Sequence, residues 1–236
     1  MEVIVVDAIP GFREPVSCWT HLLAAPVFAV LGYHLVCRGR GHWGRTISLA
    51  VMAFSSVFLL SMSAVYHLLG PGTARDVMRH LDIAAIFVLI AGTVTPAHAI
   101  LFRGFNRWVP LLLVWSVAAT GISLRTIFSD RLMSGFGTGL FLVMGWGGLI
   151  SCIVLWRRYD YSFVKLLLWG GVAYTAGVVI IGLNWPTVIP GVVTPHELWH
   201  VAVIVGLSMH WKFTFQFAGG LPDVESRPQA SRVQAD

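Results

Sequence analysis

The sequence predicts an all-α membrane protein, a bundle of seven transmembrane helices. Hydrophobic residues make up 56% of the 236 residues and charged ones only 11%, against roughly 25% charged in a soluble domain. Apolar runs recur along the chain with short polar breaks, each long enough for the ~20 residues that cross a bilayer as a helix. Strands this continuously hydrophobic would leave no polar lumen for a barrel, so helices are the spanning structure that remains. The chain has room for seven such helices and short loops, and none for a separate soluble domain.

The first run covers residues 18–36 and is followed by the basic loop "CRGRGHWGR". The second covers 46–69 and stops at Gly70, Pro71 and Gly72, which cannot continue a helix. The third, 81–102, opens with Asp82. The fourth and fifth are placed at 108–128 and 137–156, and the sixth, Gly-rich in "WGGVAYTAG", at 163–183. The seventh runs from 195 to 217. Residues 1–17 form an N-terminal segment without the basic start of a cleavable signal peptide, so the first span is expected to serve as the insertion signal. Residues 218–236 are polar and aperiodic, the composition of a disordered tail.

A net charge of +5 calls for no nucleic-acid partner here, because the Lys and Arg residues gather beside membrane helices, where they set orientation and meet lipid headgroups. Alternating the loops puts five basic residues on the side of the N-terminus and eleven on the other, a bias that favours an external N-terminus. Cys18, Cys37 and Cys152 show no disulfide framework and no zinc-ribbon spacing. They are expected to pack as small hydrophobes.

Ionisable groups within spans are costly, and each needs a reason. His67 lies near the end of the second span with Ser63 one turn before it, Asp82 opens the third, and His196 and His200 stand one turn apart at the start of the seventh. Span two runs out and spans three and seven run back, so the end of the second and the starts of the third and seventh share a level, and these residues fall in one layer near one membrane surface. Three imidazoles with one open position form the ligand set of a catalytic zinc, whose fourth site is water. A carboxylate beside that water can orient it and take its proton, a role that suits Asp82, with Ser63 as a supporting hydrogen-bond donor. The plainer readings are a helix-capping Asp82 and satisfied core residues at His67 and Ser63. Coincidence in one layer favours metal over independent caps. Among the other histidines, only His80 stands near enough to substitute.

His196-Glu197-Leu198-Trp199-His200 also fits H-E-x-x-H, the helix of zinc metalloproteases, in which the glutamate is the general base. A third ligand for such an enzyme would lie downstream, yet the acids after this helix are Asp223, Glu225 and Asp236 in the polar tail. Glu197 is rotated about 100° from His196. It either touches the site or starts the helix favourably near its positive end.

"SAVYHLLG", "HLDIAAIFVLIAGTVTP" and "HELWHVAVIVG" together resemble the hemolysin III family, the bacterial branch of the progestin and adipoQ receptor group that includes the adiponectin receptors. The resemblance covers about residues 63–217. It implies a seven-helix fold in a bacterial plasma (inner) membrane, zinc held by His67, His196 and His200, and Asp82 on the zinc water with Ser63 nearby. It implies amide hydrolysis on lipids, as in the similar alkaline ceramidases, so that a membrane lipid is the expected substrate or ligand. A zinc-stabilised receptor or sensor and a pore-forming hemolysin are the alternatives. Two departures stand out. Adiponectin receptors place the N-terminus in the cytoplasm, against the charge count here, and relatives typically lack an acid at the position of Glu197.

Overall fold

The computed structural model describes residues 14–128 and 136–221, all of whose regular structure is helical. The helices are α1 (Pro15–Arg38), α2 (Trp43–Leu68), α3 (Thr73–Leu101), α4 (Phe105–Ile127), α5 (Phe136–Gly147), α6 (Leu149–Arg158), α7 (Tyr161–Leu183) and α8 (Pro195–Phe215). The segments α5 and α6 form one span, interrupted at Gly148. Among the described residues, six spans are long and apolar enough to cross a membrane by length and composition. The seventh, α8, carries His196, Glu197, His200, His210 and Lys212, which dilute its hydropathy. The result is the seven-span bundle that the composition predicts, and the protein is an integral membrane protein.

Hydrophobic matching assembles the bundle around α8. Its Leu207 and Trp211 meet Phe28 and Leu35 of α1, Leu49, Met52 and Leu60 of α2, and Leu89 of α3. The Trp211 indole donates to Ser56 Oγ at 3.0 Å, satisfying an N–H that hydrocarbon would otherwise leave bare. Leu23, Val30, Phe54, Leu112 and Ile150 point outward. That is costly in water and costless against lipid tails, so the bundle holds together by packing. Cys18, Cys37 and Cys152 are free thiols, the first and last buried.

Small residues allow a close approach between α7 and α8. A Cβ on Gly170 would stand 2.4 Å from the His210 ring, and one on Gly177 2.7 Å from Ala202 and Trp199. Both glycines therefore hold the two helices together. Gly171, on the next face, has nothing within 4 Å of where its Cβ would be and lines a cavity.

Helix α3 begins at Thr73, eight residues before the start read from hydropathy. "TARDVMRH" is polar but helix-competent, and it extends the helix past the apolar layer. Asp82 is consequently an internal residue of α3 and caps nothing. At the other end of the chain, Ala218 is buried and the Gly219 carbonyl accepts a hydrogen bond from Arg45, so packed structure continues past residue 217. The N-terminal segment before residue 14 and the tail from 222 lie outside the described residues.

Candidate metal centre

The alternation of spans brings the end of α2 and the starts of α1, α3 and α8 to one membrane level. There His67, His196 and His200 form a cluster whose ligand-capable nitrogens all lie within 4.8 Å of one another. His67 Nε2 and His196 Nε2 are 3.3 Å apart. Two nitrogens at about 2.0–2.1 Å from a tetrahedral metal are separated by about 3.3–3.4 Å. This buried group could hold a metal ion.

The opposite edges of the rings decide which nitrogens face the cluster. His67 Nδ1 meets Glu14 Oε2, and Arg75 Nη2 donates to Glu14 Oε1 at 2.8 Å. Burial works to raise the Glu14 carboxyl, but the hydrogen bond from His67 and the nearby Arg75 guanidinium outweigh it and hold it at about 2. An anionic carboxylate only accepts, so His67 Nδ1 carries the proton and its Nε2 lone pair points inward. His200 Nδ1 lies 3.2 Å from the Ser17 carbonyl, which likewise accepts only and leaves the His200 Nε2 lone pair free. Two of the three imidazoles are thus held in the tautomer a metal needs.

Glu197 points elsewhere. Its Oε1 accepts from Ser17 Oγ at 2.7 Å, and its Oε2 accepts from the Thr194 backbone N–H at 2.8 Å and from the Thr194 hydroxyl. With the Thr194 hydroxyl accepting from His196 N–H, this is a capping box. The acid inside H-E-x-x-H starts the helix and ties it to α1.

Asp82 is half-buried and faces Ser63 and His67. Asp82 and Ser63, with His196 and His200, line one end of a cavity of about 190 Å³. Leu59, Ile86, Leu89 and Ile90 continue its wall, which ends near His98, Ser151 and Thr214. From His196 to Thr214 along α8 is about 27 Å at 1.5 Å per residue, close to the ~30 Å hydrocarbon thickness of a bilayer. Most of the lining is aliphatic or aromatic.

Reading spans by hydropathy passes over three residues of α1 and its cap. Glu14 and Ser17 act as described, and His21 stacks on His200 with ring centroids 4.1 Å apart and planes at 12°. His21 is buried, and neither of its ring nitrogens has a partner among the described residues. A signal was present: Glu14, Ser17 and His21 stand at i, i+3 and i+7, one helical face, at the level where α2 ends. Three other histidines are occupied elsewhere. His80 meets the Asp76 carbonyl, His98 bridges the Asn106 carbonyl and Ser151, and His210 meets the Leu167 carbonyl.

Fold and site together define a class: seven-span membrane proteins with a buried histidine triad at one end of an apolar cavity. Residues 11–211 match the haemolysin-III related family, and the chain belongs to it. It is 28% identical over 188 residues to hemolysin-3 of Bacillus cereus, covering 80% of this chain and 82% of the relative. To the hemolysin-3 homolog of Bacillus subtilis (strain 168) it is 31% identical over 160 residues, 68% of this chain and 72% of that one. The ADIPOR-like receptor IZH2 of Saccharomyces cerevisiae is 28% identical over 173 residues, 64% of this chain and 53% of the yeast protein.

Proposed function

We propose that this protein is a zinc-dependent membrane hydrolase that cleaves an amide or ester next to the acyl chain of a lipid. The observation that carries the reading is the cavity: polar where His196, His200, Asp82 and Ser63 meet, and apolar for most of the depth of the bilayer below. His67, His196 and His200 would hold the metal, the chemistry of three neutral imidazoles being that of zinc and unlike the oxygen cages of calcium or magnesium. Bound there, zinc lowers the pKa of a water to about 7 and polarises a carbonyl. Asp82 orients the attacking water, accepts its proton as the new C–O bond forms, and returns it to the departing nitrogen or oxygen. Ser63 steadies the Asp82 carboxylate or a substrate oxygen. The chain-side wall excludes bulk water and accommodates the acyl chain, and a folded soluble protein has no comparable route in.

The likeness to an ADIPOR-like receptor favours a second reading, in which the same cavity binds a lipid without cleaving it and the metal is structural. A pore, suggested by the hemolysin relatives, would need a continuous polar path, and the mostly apolar wall argues against one. Detergent-purified protein incubated with ceramides, acyl-amino acids and phospholipids, with released fatty acid followed by mass spectrometry, tests the proposal. Release that stops on chelation and returns with zinc is expected. Stoichiometric zinc with no release from any of these lipids favours the receptor reading.

A further inference from the structure

We propose that Glu14 is the positioning residue of the metal centre, a carboxylate that orients His67 and strengthens it as a ligand. The inference rests on the reading that the histidine triad holds zinc. Glu14 caps α1, while His67 stands fifty-three positions away near the end of α2, and their side chains meet through His67 Nδ1 and Glu14 Oε2. That contact uses the ring edge facing away from His196, so Glu14 supports the ring and is not itself a ligand. The pairing is doubled in the backbone, where Glu14 N–H donates to the His67 carbonyl at 3.2 Å.

Arg75 completes the clamp. Its Nη2 holds Glu14 Oε1 at 2.8 Å while its Nη1 donates to the Tyr66 and Leu69 carbonyls at 3.0 and 2.7 Å, and its guanidinium lies over the Tyr66 ring. One carboxylate oxygen is held by Arg75 of α3, and the other meets His67 of α2. The ring is fully buried, its side chain 1% exposed against 32% for Glu14, so the orienting charge sits at the membrane surface while the ligand sits beneath it. A carboxylate behind an imidazole fixes its tautomer and raises its basicity, and losing such a partner lowers metal affinity about 10–100-fold.

Glu14→Gln keeps the shape and removes the charge, and zinc affinity read by competition with a graded chelator series is the measurement. We expect the zinc dissociation constant to rise about 10–100-fold while one zinc per chain is still reached at saturation. Arg75→Gln is the control for loosened structure, since it frees the α2 carbonyls and leaves the His67 contact; its loss of affinity should be several-fold smaller. Cobalt substituted for zinc gives a second reading, with a visible spectrum altered in Glu14→Gln and near normal in Arg75→Gln. In the wild-type zinc protein, nitrogen-15 NMR should find His67 protonated at Nδ1 and metal-bound at Nε2, whatever the variants do. Unchanged affinity in Glu14→Gln, equal losses in both variants, or metal on His67 Nδ1 overturns the proposal. Wild-type protein that takes up no zinc overturns instead the metal reading on which it rests.

Discussion

Replacing Glu197 by Gln separates two meanings of H-E-x-x-H. In the structure the carboxylate accepts three hydrogen bonds, one from Ser17 and two from Thr194. Gln keeps one acceptor oxygen for the Thr194 N–H, and the Ser17 hydroxyl can turn to accept from the new amide. What disappears is the charge assistance of these bonds and the anion at the helix's positive end, the latter about 0.3–1 kcal/mol. A total of about 1–2 kcal/mol follows, smaller than full loss of several bonds to a charged group at about 1.5–3 kcal/mol each. For a domain of this size that lowers the melting temperature by about 2–8 °C. Tryptophan fluorescence during heating in detergent measures this, with zinc content and fatty-acid release recorded on the same sample. The expected outcome is a lower melting temperature, one zinc per chain, and release within a few-fold of wild type. Losing a general base would instead cost about 10²–10⁴ in rate. A hundredfold fall in release with unchanged melting would refute the structural role of Glu197.

Other expected outcomes follow from the same geometry. His196→Ala combined with His200→Ala leaves one imidazole of the triad, and elemental analysis should find the purified protein without stoichiometric zinc. Asp82→Asn should hold zinc near the wild-type level while release falls about 10²–10⁴-fold, because in the proposed mechanism the carboxylate would serve the water and not the metal. Gly170→Ala drives a methyl group into the His210 ring and toward the Gly206 carbonyl, so thermal unfolding should show a loss of about 1–3 kcal/mol. Gly171→Phe meets open space and should preserve melting and zinc, while filling the cavity so that long-chain lipids are no longer cleaved and short-chain ones are less affected.

The convergence of His67, Asp82, His196 and His200 was legible because it follows from counting spans: alternate direction fixes which ends share a membrane level, and the side-chain chemistry does the rest. What hydropathy cannot see is a helix continuing beyond the apolar layer. The polar turns 73–80 are as helical as the run that follows them, and missing them made Asp82 look like a cap. Glu14 was hidden for the same reason, lying ahead of the first apolar run and meeting its partner across fifty-three positions. A glycine in a membrane span can serve close helix packing or leave a gap, and sequence alone does not choose between them in the Gly-rich sixth span. Side chains on the facing helix choose: His210 and Trp199 close on Gly170 and Gly177, whereas nothing reaches Gly171. The cavity is the sum of many such local outcomes, so no periodicity announces it.

The two glutamates beside the histidine cluster show why nearness in sequence is a weak guide to chemistry. Glu197 sits between two of the triad histidines along the chain, yet among the described residues its side-chain hydrogen bonds go to Ser17 and to Thr194 at the start of its own helix. Glu14 is remote from all three, yet it touches the outer edge of one of them. The difference is angular. On α8, one step along the helix turns a side chain by about 100° away from its neighbour. The residues that share the His196 and His200 face are therefore those three or four places off, and Glu197 is left to face α1 and the helix start. On α1, the cap lies level with the last turn of α2, and His67 presents its Nδ1 edge there because its Nε2 edge is turned toward α8. An acid serves a ligand by standing behind the ring, on the side away from the metal, and of these two only Glu14 stands there.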